Sequence, residues 1–236
     1  MGKMGLGYGS EYQLLRFLGH HRQTLDSLIL KNTKINENLE YNMEWLDFPF
    51  PKDKNGSFDD EYKGIDFLPS KVIYQIKDNW VNYWPVGGNP QNWDAIIYCS
   101  PIVPNSSLKE KWIIVEAKAH LDEVGPGEGT GAKEISRKII EKAFVATQKR
   151  FNIKTQNSWL EKYYQFANRL AFVNFMLDNG IDCSFLNIYF INGWPNDPKQ
   201  NVTSVEMWKE KIQDEYLFLG INDDAKKYIS EIFVEC

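Results

Sequence analysis

The sequence predicts a mixed α/β fold in which a β-sheet is flanked by helices. Three observations predict it: an amphipathic helical segment opens the chain, runs rich in Ile, Val and Trp occupy the middle, and a near-continuous apolar run, Phe185 to Ile191, returns late between helical segments. The 236 residues, 43% hydrophobic, suffice for a substantial core and are read as one domain over 1–236.

Ser10, with Gln13 three positions on, has the pattern of a capping box. Leu14, Leu15, Leu18, Leu25, Leu28 and Ile29 then recur at helical spacing and predict a helix over residues 10–30. The stretch 31–70, with Pro49, Pro51 and Asn55-Gly56 among charged and aromatic residues, reads as an irregular insertion. Weak alternation over Val72 to Ile76 and aromatic enrichment over Asn79 to Val86 predict two strands before the break at Gly87-Gly88-Asn89-Pro90. Trp93 to Tyr98 and Trp112 to Ala119 predict an antiparallel hairpin across a loop with Pro101, Pro104 and Asn105.

Downstream, the glycine-rich segment Gly125 to Gly131 precedes a basic amphipathic helix over Ala132 to Arg150. The segment does not end in Gly-Lys-Ser/Thr as a phosphate loop does, and is read as a mobile substrate flap. Ser158 and Glu161 form a second capping-box pattern, opening a helix that ends at Asn179-Gly180. Phe185 to Ile191 predicts an interior strand, Thr203 to Leu219 a helix, and the last residues a short helix and tail.

Composition narrows the function. Cys99, Cys183 and Cys236 are widely spaced and form no CxxC pair, so neither a disulfide framework nor a zinc or iron–sulfur site is indicated, and a reducing cytoplasm is expected. No stretch approaches the ~20 apolar residues needed to span a bilayer, and Met1 to Ser10 lacks an apolar leader. The net charge of −5 disfavours a globally nucleic-acid-like surface. From Gly131 to Thr155, however, seven basic residues (Lys133, Arg137, Lys138, Lys142, Lys149, Arg150, Lys154) face two acidic ones. That run is either a solvated helix face or a nucleic-acid contact.

The chemistry concentrates on the hairpin. Strand side chains alternate, so Glu116 and Lys118 share one face while Val115, Ala117 and Ala119 share the other. Charges interrupting an apolar strand are costly unless paired, hydrated or bound to a metal. In an antiparallel hairpin the start of one strand lies beside the end of the next, which brings Asp94 near Glu116. Two carboxylates and an ammonium in that arrangement suit a hard divalent cation such as Mg²⁺, and phosphodiester hydrolysis.

Asn92-Trp93-Asp94-Ala95-Ile96-Ile97, followed after a loop by Ile114-Val115-Glu116-Ala117-Lys118, resembles the D…E-x-K signature of the PD-(D/E)XK nuclease superfamily. Trp93 stands where the name-giving proline often does. The resemblance implies a restriction-endonuclease-like αβββαβ core, metal binding by Asp94 and Glu116, and assistance to hydrolysis by Lys118. It also makes Glu11, in the first turn of the first helix, a candidate metal ligand; complementing the helix dipole is the competing role. His120, Lys133, Arg137 and Gln165 are candidate substrate contacts, with Gln148 as an alternative to Gln165 and with His20, His21 and Arg22 read as a solvated face.

The implied function is a Mg²⁺- or Mn²⁺-dependent nuclease acting on nucleic acid, DNA foremost. The alternative is a catalytically inactive nuclease-fold module that binds nucleic acid or a protein partner. A homo-oligomer is compatible with either. No GxGxxG, phosphate loop or GxSxG motif supports a small-molecule enzyme. Trp80, Tyr83 and Trp84 fit either base stacking or a buried sheet face.

Overall fold

The three longest apolar runs form the interior of a five-stranded sheet because each presents apolar side chains to both faces. The computed structural model describes residues 8–35, 40–49, 60–87, 91–104, 106–127, 129–195, 197, 199 and 201–236. The turn signals at Pro51, Asn55-Gly56 and Gly88-Asn89-Pro90, as well as Asn105 and Glu128, lie outside the described residues.

The elements are α1 (Ser10–His20), α2 (Arg22–Asn32), β1 (Tyr41–Trp45), β2 (Tyr62–Lys63), α3 (Ser70–Tyr83), β3 (Asn92–Trp93), β4 (Ala95–Pro101) and β5 (Lys111–Lys118). A 3₁₀ turn at Leu121–Val124 follows, then α4 (Glu134–Arg150), α5 (Tyr164–Asp178), β6 (Asp182–Ile191), α6 (Val205–Leu219), α7 (Asp223–Lys226) and β7 (Ile229–Glu235). The large sheet has the order β1-β4-β5-β6-β7. β1 and β5 flank β4 antiparallel, whereas β6 runs parallel to both β5 and β7. Sheet and helices thus form a mixed α/β architecture.

Strand alternation divides the core into two layers. Ile97, Ile113, Val115, Leu186 and Ile188 pack with Leu14, Phe17, Leu25 and Ile29 of α1 and α2. Ile96, Ile114, Phe185 and Tyr189 pack on the other face with residues of α3 to α6, including Trp80, Phe144, Phe172 and Trp208. Glu116 and Lys118 belong to that second face, which the longer set of helices covers.

Several local expectations are corrected. The first helix breaks at His21 (φ −134°) into α1 and α2. Ser10 makes no cap; it is the first helical residue, its hydroxyl donates to Glu123, and Gln13 turns inward to the Gly193 carbonyl. Residues 72–76 and 79–83 are helical, not extended, because Val72, Ile73, Ile76, Trp80 and Tyr83 recur every three or four residues against the core. Ser158 and Glu161 do not open α5, which begins at Tyr164 after Tyr163 in a left-handed conformation (φ 52°). The insertion at 31–70 contains the edge strand β1, and the expected tail is the strand β7. The hairpin, the basic helix, the interior strand and the late helix stand where the sequence places them.

No helix among the described residues is long and apolar enough to cross a membrane.

Candidate active site

The β4–β5 register pairs Ala95 with Val115, which sets Asp94 beside Glu116. Asp94 is fixed there by backbone: its Oδ2 accepts from the Ala117 amide at 2.8 Å. Lys118 Nζ donates to Glu116 Oε1 at 2.6 Å, the approach expected of a charge-assisted bond. All three side chains line one cavity of about 420 Å³, together with Glu11, Glu61 and Gln165. The sequence-predicted centre is therefore assembled, and Glu11 at the start of α1 faces the same space.

Two residues of α5 complete the cluster. Gln165 accepts from Lys118 Nζ at 2.7 Å and donates through Nε2 to Glu116 Oε1 at 2.6 Å. Arg169, one helical turn later, places both Nε and Nη2 at 2.8 Å from Glu116 Oε2. Its guanidinium also lies 5.0 Å from the centre of the Trp93 ring. Arg169 is a residue the sequence reading missed as a site component; its signal was a Gln and an Arg four apart on a helix that is largely buried and, apart from Asn168 and Asn174, mostly apolar.

The electrostatics follow from this packing. Burial drives the Glu116 carboxyl upward, but the Arg169 and Lys118 charges outweigh it and hold it below its ordinary range. For Lys118 burial works against the ammonium, yet Glu116 and then Asp94 overcome it and keep the amine protonated. Asp94 has no such partner: burial, then the Glu116 charge, push it up to about 7 against the pull of Lys118, the Ala117 amide and Arg169.

The donors at Asp94 and Glu116 are hard carboxylate oxygens, the chemistry Mg²⁺ and Mn²⁺ prefer. Among the described residues no group of three His, Cys, Asp or Glu side chains converges to hold a metal. A cation here would draw on the two carboxylates, with water and phosphate oxygens as its remaining ligands.

The other candidates are placed elsewhere. His120, two residues beyond β5 at the head of the 3₁₀ turn, packs on the Trp194 ring with ring centres 4.9 Å apart, with Nε2 3.9 Å from Glu123, and lines neither this cavity nor its neighbour. Glu123 accepts from the Ala119 and His120 amides and so closes the end of the strand. Lys133 and Arg137, at the start of α4, do not line these cavities. Gln148 lies on α4 and lines neither cavity, and His20, His21 and Arg22 are exposed at the α1–α2 break. Trp80 and Trp84 are buried, but on a helix and its end rather than on a sheet face.

The glycine-rich segment is tied at both ends. Thr130 N–H donates to the Leu160 carbonyl and Tyr163 N–H to the Pro126 carbonyl, both at 2.8 Å. Gly125, Gly127 and Gly129 form the rim of a second cavity, of about 450 Å³, that shares Glu116, Lys118 and Gln165 with the first.

Comparison with protein-family models, with curated proteins and with solved structures gave no match.

Proposed function

We propose that the chain is a metal-dependent nuclease of the restriction-endonuclease-like class, hydrolysing phosphodiester bonds in nucleic acid, with DNA the first substrate to test. The observation that carries this reading is the convergence of Asp94, Glu116 and Lys118 in one cavity, with Asp94 and Lys118 held by separate contacts. The succession α1, β1, β4, β5, α5, β6, with three antiparallel strands and a parallel fourth, is consistent with an αβββαβ core.

A bound Mg²⁺ or Mn²⁺ supplies charge stabilisation on the phosphate and an activated water. Lys118, kept protonated by its two carboxylate neighbours, acts as a cation toward developing negative charge rather than as a base. Asp94, poised near neutrality, offers the carboxylate least committed to protein cations. Gln165 bridges Lys118 and Glu116 and holds both in register.

A second reading has its own support. Both oxygens of Glu116 are occupied, Oε1 by Lys118 and Gln165 and Oε2 by Arg169, so the cluster also satisfies the requirements of a structural ion-pair hub in an inactive binding module. Incubating the protein with plasmid and single-stranded DNA, with and without Mg²⁺ or Mn²⁺, separates the two. The nuclease reading expects metal-dependent cleavage that Lys118→Ala abolishes; retention of DNA without cleavage in either metal favours the module.

A further inference from the structure

The second cavity is lined by a buried polar group that the fold leaves without a partner and by a carboxyl that makes no hydrogen bond to the described residues. Asn187, 3% exposed at the centre of β6, has an amide Nδ2 with no hydrogen-bond partner among the described residues. Glu215, 5% exposed on α6, makes no hydrogen bond among the described residues, but its oxygens, unlike Asn187 Nδ2, are not sealed from solvent. Buried polar groups are almost always satisfied, so the unpartnered Asn187 amide, beside a carboxyl with no hydrogen bond of its own in one cavity, asks for an occupant.

Register places the two together. Asn187 pairs between Glu116 of β5 and Glu231 of β7, and both of those carboxylates act electrostatically on Glu215. Around them stand Tyr163, Tyr164, Phe166, Phe185 and Tyr189, which give the cavity aromatic walls. A free anion is disfavoured, because Lys118 and Arg169 are already bound to Glu116 while Glu123 adds negative charge. A purely apolar ligand would leave Asn187 and Glu215 unsatisfied.

We infer that this cavity receives one unpaired nucleobase, its edge read by Asn187 and Glu215 and its faces contacting the aromatic walls. This rests on the nuclease reading, since it names the part of the substrate that lies beside the bond to be cleaved. A base is flat, stacks on aromatic rings whatever its identity, and carries donors and acceptors along its edge. The Asn187 amide offers both functions. Burial keeps Glu215 protonated at neutral pH, pushed up to about 8, so its carboxyl also donates and accepts. The glycines at the rim permit a close wall: at Gly129 (φ +74°) an added Cβ would stand 2.4 Å from the Leu160 carbonyl oxygen.

The test is titration of the full chain with each of the four 2′-deoxynucleoside 5′-monophosphates, followed calorimetrically, for the wild type, Asn187→Leu, Glu215→Met and Asp94→Asn. The wild type should discriminate among the bases by about tenfold, the range one well-made edge contact provides. Both cavity variants should lose that discrimination, and Asp94→Asn, outside this cavity, should keep it. Glu215→Met keeps a similar length without donor or acceptor and serves if Asn187→Leu does not fold. Equal or absent binding of the four nucleotides by the wild type overturns the proposal, as does discrimination that survives both cavity variants. Parallel cleavage assays separate the two readings: cleavage without base discrimination removes the pocket alone, whereas discrimination without metal-dependent cleavage removes the nuclease assignment and keeps the pocket.

Discussion

At the scale of single residues, the site is governed by how many cations each carboxylate meets. Glu116 meets two and stays ionised, and removing one leaves a buried charge half compensated. Arg169→Ala should cost about 3–5 kcal/mol, the range for breaking a buried ion pair from one side. Arg169→Lys should not restore the loss, because a lysine cannot present two parallel donors to Oε2. Urea denaturation of the two variants checks both statements.

Glu215 behaves oppositely. Its carboxyl is raised from 4.5 to about 8 by burial, with Lys118 opposing and Glu231 and Glu116 reinforcing. A raised folded-state value means that the folded chain holds the proton more tightly. The stabilising contribution is complete below about pH 4.5 and is lost as pH climbs through about 8. Asp94, raised to about 7, shifts stability in the same direction. Stability should therefore fall by a few kcal/mol between about pH 5 and pH 8. Glu215→Gln should flatten that decline and be the more stable protein at pH 8; parallel curves for the two proteins would refute the assignment.

The residues of the candidate site were legible where strand geometry alone decides. Alternation puts Glu116 and Lys118 on one face, and antiparallel pairing brings Asp94 to them. Arg169 was not, since no periodicity within α5 reveals which strand its side chain meets.

At the scale of elements, legibility tracked the length of the apolar pattern. β4, β5 and β6 are rich in buried Ile, Val and Phe and declare themselves. α3 does not, because its aromatic side chains suit a strand equally well and only packing of Trp80 on Phe172 and Phe175 resolves it. β7 alternates Ile232 and Val234 inward with half-buried neighbours, but as a short segment at the end of the chain it offers little pattern to read. The rim of the second cavity is sensitive at one glycine. Gly129→Ala forces both a left-handed residue and a clash with Leu160, and should cost on the order of 1–3 kcal/mol with loss of nucleotide binding. A melting curve and a nucleotide titration together test this.

At the scale of the whole molecule, a chain of net charge −5 approaches nucleic acid only through local positive surface. Such surface lies on α4, whose Lys133 is exposed and whose Arg137 is half-buried. Replacing both by alanine should weaken DNA binding and reduce the dependence of log affinity on log salt by about one unit per contact removed. An unchanged salt dependence would assign these side chains to solvent.

The centre itself is tested most directly by Mn²⁺ titration followed by electron paramagnetic resonance, in the presence of a cleavage-resistant phosphorothioate oligonucleotide, for the wild type and Asp94→Asn. We expect Mn²⁺ to bind the wild type with substrate present and Asp94→Asn to lose that binding. Absence of Mn²⁺ binding by the wild type, or equal binding by the variant, would contradict a cation held between Asp94 and Glu116.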